Sequence, residues 1–156
     1  MIIVSGLRRS GTSMMMLCLK EAGFKIIGKS MADDGNPTGY WETAAASRGT
    51  RAPFEGVIKV LAEGLPYCEY FDKFVVMRRE YEGILGSMVK RKMVVSREVG
   101  MAIILNQERK MMDFLKGKNF IIVDLEKAVK NPRGEMKRVC EFLGKGDYLK
   151  AAKVIK

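Results

Sequence analysis

The opening segment "MIIVSGLRRSGTSMMMLCLKEAG" constrains the fold more than any other part of the chain. Ile2, Ile3 and Val4 form a short apolar run that reads as a buried strand, and "TSMMMLCLKEAG" reads as a helix closed by Gly23. Between them, "GLRRSGTS" at 6–13 has the length and glycine ends of a phosphate-binding loop, G-x-x-x-x-G-K-[ST], with Thr12 where the lysine would stand. Strand, glycine loop and helix together let backbone N–H groups and a helix N-terminus converge on an anion.

The rest of the chain continues in the same alternation. "FKIIG" (24–28) is expected as a second strand, and "KSMADDGNPTGYWE" as an irregular loop able to reach a ligand. "GVIKVL" (56–61) fits either a strand or part of a helix, whereas "KFVVM" (73–77) and "NFIIVD" (119–124) are clear strands. Between those two, Met101, Ile104, Leu105, Met111, Met112 and Leu115 repeat near the helical period and predict a long helix with one buried stripe, the methionines being core filler. Asn131-Pro132 reads as a cap and first-turn proline, after which Met136, Val139, Cys140 and Leu143 share one helix face up to Gly144. Strands that are apolar throughout, separated by helices, specify a parallel sheet covered on both faces, with ligands beyond its carboxyl edge.

Length and composition narrow the class. The 156 residues fit one domain, 1–156, and 47% hydrophobic with 29% charged residues is a globular balance. No basic leader precedes "MIIVSG" and no apolar run approaches a bilayer span, so neither secretion by a signal peptide nor a membrane span is expected. Three scattered cysteines and no histidine point to a reducing cytoplasm without structural zinc. A formal charge of +10 calls for an anionic ligand or partner. Its densest point, "KRK" at 90–92, lacks interleaved aromatics and reads as a solvated helix end rather than a specific nucleic-acid site.

Without the loop lysine, the outer phosphates of a triphosphate lose their usual partner. Arg8 and Arg9 restore charge from inside the loop, in a form suited to bidentate contact with phosphate or sulfate oxygens, and Ser10, Thr12 and Ser13 add hydroxyls. The loop therefore suits a smaller diphosphate-like group with no obligatory metal.

At Arg9, Ser10, Gly11, Thr12 and Ser13 the loop resembles the [KR]-S-G-T-[TS] motif of sulfotransferases that use 3'-phosphoadenosine 5'-phosphosulfate. Three further segments are similar to the same family in the same order. "KFVVMRREYEGILGS" carries an arginine and, eight residues on, a serine, here Arg79 and Ser87; Arg78 is the alternative, at a spacing of nine. "NPTGYWE" (36–42) resembles N-P-x-G-[YF]-[WF]-E, and "VDLEKAVKNPRGEMKRVCEFLG" (123–144) resembles the terminal strand, acidic loop, proline-started helix and F-L-G ending.

The resemblance implies a three-layer α/β/α fold with a central parallel sheet of the P-loop type. It also implies transfer of a sulfuryl group to a hydroxyl or amine on a small-molecule or glycan acceptor, leaving adenosine 3',5'-bisphosphate and using no metal. Carried onto this sequence, the donor site comprises Arg9, Ser10, Gly11, Thr12, Ser13, Met14, Arg79 and Ser87, with Arg9 beside the departing phosphate. Many members are longer and carry a histidine base in a K-x-H segment; Leu61 stands at that position, so a carboxylate must serve, with Glu42 the candidate and Asp33 and Asp34 behind it. Tyr40 and Trp41 fit an acceptor pocket, stacking on adenine, or an aromatic plug; Lys59 is a lesser candidate for contacting sulfuryl oxygens, with an ordinary exposed lysine the preferred reading. Two other readings stand beside this one: a small P-loop kinase with Asp124 as its magnesium carboxylate, and a non-catalytic module of the same fold. The oligomeric state, a homo-oligomer included, is left open.

Overall fold

The computed structural model describes residues 1–28 and 55–156. Glu42, Asp33, Asp34, Tyr40 and Trp41 lie outside the described residues.

Four strands, β1 (Ile2–Gly6), β2 (Val57–Lys59), β3 (Lys73–Arg78) and β4 (Phe120–Asp124), form an all-parallel sheet in the order β2-β1-β3-β4. Among the described residues the helices are α1 (Thr12–Glu21), α2 (Tyr81–Lys90), α3 (Arg97–Leu115), α4 (Leu125–Lys130), α5 (Pro132–Leu143) and α6 (Tyr148–Ala152), with a short 3-10 helix at Ala62–Tyr67. Within the ambiguous 56–61 segment, Val57–Lys59 is thus a strand paired with β1, with Val4 opposite Lys59.

The strands lack polar alternation because both faces are covered. Along β3, Val75 and Met77 pack with Met15, Met16 and Leu19 of α1 and Met136 and Val139 of α5. Phe74 and Val76 face the other way, against Ile84 and Leu85 of α2 and Ile104 and Leu115 of α3. Period-two geometry therefore divides one apolar run between two cores, and burial there, at about 25 cal/mol per Å² of apolar surface, is the main stabilising term. All three cysteines are buried free thiols, and burial pushes Cys18 up to about 12 and Cys68 up to about 11.

Two expectations change. "FKIIG" is not a full strand: Ile26 makes one parallel bridge to Val57, supported by Ile27 N–H donating to the Val57 carbonyl and Val57 N–H to the Lys25 carbonyl, both at 2.9 Å. Leu105 lies off the buried stripe of α3 and is 49% exposed, because the buried line runs through Gly100, Ile104, Met111 and Leu115. At α5 the Asn131 side chain accepts from Gly134 N–H at 3.1 Å, Pro132 opens the first turn, and Met136, Val139, Cys140 and Leu143 are all buried.

Candidate phosphate-binding site

The loop between β1 and α1 lies at the carboxyl edge of the sheet, in the middle of it, beside the ends of β2 and β3. Its backbone is held open by left-handed residues. Gly11 has φ 98°, and Arg9, unusually for a residue with a Cβ, has φ 68°. Gly6 is equally committed, since a Cβ there would lie 2.5 Å from both the Met77 carbonyl oxygen and Ser10 Oγ. Ser10 is buried and turned inward: its hydroxyl donates to the Leu7 carbonyl at 2.6 Å and pins the turn. Gly11 stands at the N-cap of α1, and among the described residues no side chain caps the helix. The first-turn amides of Thr12, Ser13 and Met14 therefore have no intrahelical acceptor and present the positive end of the helix.

The two arginines of the loop separate. Arg8 turns to the 3-10 helix and pairs with Glu63, its Nη2 2.7 Å from Oε1. Arg9 turns toward α2, and its Nε donates to Ser87 Oγ at 2.8 Å. The arginines at the end of β3 separate in the same manner. Arg79 Nη1 donates to the Arg9 carbonyl at 3.1 Å, whereas Arg78, the last residue of β3, donates to Asp124 Oδ1 at 2.5 Å across to its register partner on β4. Asp124 also lies 3.4 Å from Lys127 Nζ, and the hydrogen bond from Arg78 holds its carboxyl below the usual carboxylate range. The strand ends at Arg78, so strand position alone favours that arginine; the side chains send Arg79 to the loop instead.

Lys59 corrects the sequence reading. It is not an exposed lysine but 4% exposed, at the end of β2 on the α1 side of the sheet, and its Nζ donates to Ser13 Oγ at 3.3 Å. An ammonium thus reaches the first turn of α1 from a neighbouring strand, although Thr12 leaves none in the loop itself. The signal that would have found it is its place: the last residue of an apolar run that pairs with β1 beside a glycine loop.

A cavity of about 620 Å³ opens beside Arg79, lined among others by Tyr81, Glu108, Glu126 and Lys130. Within it Tyr81 donates to Glu108, which raises the phenol pKa, and Glu80 N–H donates to Glu126 at 3.2 Å. One hydroxyl near the loop, Ser5 Oγ, is buried without a hydrogen-bond partner among the described residues.

Taken together, a glycine loop and helix start of the P-loop type stand at the carboxyl edge of a parallel sheet within an α/β fold. Two solved structures share that fold over essentially the whole chain. The sulfotransferase domain from the Synechococcus PCC 7002 olefin synthase superposes with a TM-score of 0.67 at 14% identity, over 100% of this chain and 77% of that one. The sulfotransferase domain from the curacin biosynthetic pathway gives 0.66 at 13%, over 99% and 77%. No family model and no curated protein matches the sequence. At these identities the likeness defines the fold, and the chain has a sulfotransferase-like fold.

Proposed function

We propose that the protein is a sulfotransferase that moves a sulfuryl group from 3'-phosphoadenosine 5'-phosphosulfate to a hydroxyl or amine acceptor. The observation that carries the reading is the junction of two sequence-distant motifs: Arg9 of the loop bonds Ser87, and Arg79 bonds the backbone of Arg9. The site fits such a donor on three counts: a helix start behind a left-handed glycine, a buried ammonium from Lys59, and two guanidinium groups meeting at the loop.

Within that reading, the donor supplies an activated sulfuryl group on a phosphate leaving group. The loop amides, with Thr12, Ser13 and Met14 at the start of α1 and with Lys59, hold the 5'-phosphosulfate end; Ser10 and Gly11 shape the loop. Arg79 and Ser87 hold the 3'-phosphate. Arg9 stands beside the leaving oxygen and neutralises the charge that develops there, the kind of preorganised electrostatic contribution that dominates group transfer. Glu42 is the proposed acceptor base; a carboxylate in that role needs a raised pKa or close contact with the acceptor. No magnesium carboxylate is required, and Asp124, which a kinase would need for that purpose, is engaged by Arg78 and Lys127.

Calorimetric titration with adenosine 3',5'-bisphosphate beside magnesium ATP, on the wild type and on an Arg79→Ala, Ser87→Ala variant, tests the donor site. A sulfuryl-transfer screen over phenols, amines and sugars then tests turnover. Preference for the bisphosphate, lost in the variant, and transfer to any acceptor support the reading. Preference for magnesium ATP would shift it to a kinase, and tight bisphosphate binding without any transfer to a non-catalytic module.

A further inference from the structure

The basic cluster at 90–92 sits in a turn whose backbone is unusual. Helix α2 ends in a paired C-terminal motif: Lys92 N–H donates to the Val89 carbonyl at 3.0 Å and Met93 N–H to the Met88 carbonyl at 2.9 Å. In this motif the residue after the cap adopts the left-handed conformation, a position glycine normally fills. Here it is Lys92, with φ 54°. A side chain at that position strains the backbone, and such outliers gather where a side chain serves a function.

The surroundings state what that function favours. Lys90 and Lys92 are exposed, and between residues 83 and 107 the only carboxylate is Glu98. Interleaved with the cations are exposed apolar side chains: Val89 at the end of α2, Met93 and Val95 in the turn, and Val99 on the first turn of α3. Val95 is 92% exposed, while the adjacent Val94 packs against the core and anchors the turn. Nucleic acid would take the cations but give the apolar groups nothing to bury against, and no aromatic side chain stands among them. An anionic lipid interface takes both, the lysines among headgroups and the valines and methionine at the acyl boundary.

We infer that the α2–α3 turn, led by Lys92 and Val95, docks the protein peripherally on anionic lipid surfaces. The inference is independent of the proposed catalytic reading. It is consistent with a peripheral mode that, among the described residues, no helix is long and apolar enough to cross a membrane.

Sedimentation with vesicles of phosphatidylcholine alone, and of phosphatidylcholine mixed with phosphatidylserine, tests it on the full chain. The wild type is expected to bind only the mixed vesicles, less at high salt. Lys92→Gly is expected to weaken partitioning about fivefold, the contribution of one lysine near an anionic surface. Its thermal midpoint should be unchanged or higher, so that unfolding does not explain the loss. Val95→Ser, which removes the apolar group without changing the charge, should also weaken vesicle binding while leaving retention on a heparin column unchanged. Equal binding to neutral vesicles, wild-type partitioning in both variants, or a Val95→Ser variant that retains vesicle binding while duplex DNA competes fully would each overturn the proposal, the last in favour of a nucleic-acid surface.

Discussion

Lys59 Nζ, delivered by β2, lies 3.3 Å from Ser13 Oγ in the first turn of α1. The ammonium is buried at the edge where the loop presents its amides, so its charge acts there with little screening. Lys59→Met keeps the apolar stem and removes the charge. The expected outcome is a tenfold to hundredfold loss of adenosine 3',5'-bisphosphate affinity, about the worth of one or two charge-assisted hydrogen bonds. Calorimetry on the variant checks it; unchanged affinity would make Lys59 a structural residue.

Ser87 and Arg79 meet different atoms of the same residue, the side chain and the carbonyl of Arg9. If both serve one phosphate, their effects on ligand binding should be coupled. A double-mutant cycle of Ser87→Ala and Arg79→Ala is expected to give a coupling of about 0.5–3 kcal/mol in bisphosphate affinity. Additive losses would separate the two side chains into independent sites.

Much of this arrangement was legible in the sequence, for identifiable reasons. Ile3 and Val4, and Phe74 to Met77, are apolar on consecutive positions, a pattern that suits a strand covered on both faces, and each divides between the two cores. Asn131-Pro132 and Gly144 bracket α5 because capping is a local interaction. Lys59 was not legible as buried, because its burial depends on pairing between β2 and β1 across a long stretch of chain. The division of labour between Arg78 and Arg79 was equally hidden. It is set by Asp124 on β4, a register partner 46 residues away that no local pattern reveals. Leu105 misled because the helical period fits it almost as well as Ile104, and only packing against α2 and the 3-10 helix chooses between them.

The Arg78–Asp124 pair gives a pH signature. Hydrogen bonding from Arg78 lowers the folded pKa of Asp124, so its contribution to stability is complete above the unfolded carboxylate value near 4 and is lost as pH falls through the lower folded value. Arg78 is half exposed, and solvent screening keeps the expected contribution at about 1 kcal/mol or less. Asp124→Asn should therefore unfold more readily than the wild type at neutral pH, and the two should converge in strong acid. Denaturant titrations at several pH values check this, and a constant difference across the acid range would sink the assignment.

The loop contains its own test of backbone strain at Arg9. Its φ of 68° costs a side-chain-bearing residue about 1–2 kcal/mol relative to glycine, which occupies that region freely. Arg9→Ala and Arg9→Gly both remove the guanidinium and its bond to Ser87, so they lose the same side-chain interactions and differ only in the backbone. Both are expected to lose sulfuryl transfer to a similar degree, by about a hundredfold or more if Arg9 stabilises the leaving group. In chemical denaturation the glycine variant should be the more stable by about 1 kcal/mol, despite the greater freedom of glycine in the unfolded chain. If alanine proves as stable as glycine, the loop does not hold the left-handed turn in solution, and the convergence of its amides on an anion fails with it. If glycine is more stable and transfer is lost in both, the strain at Arg9 is retained for the guanidinium it carries.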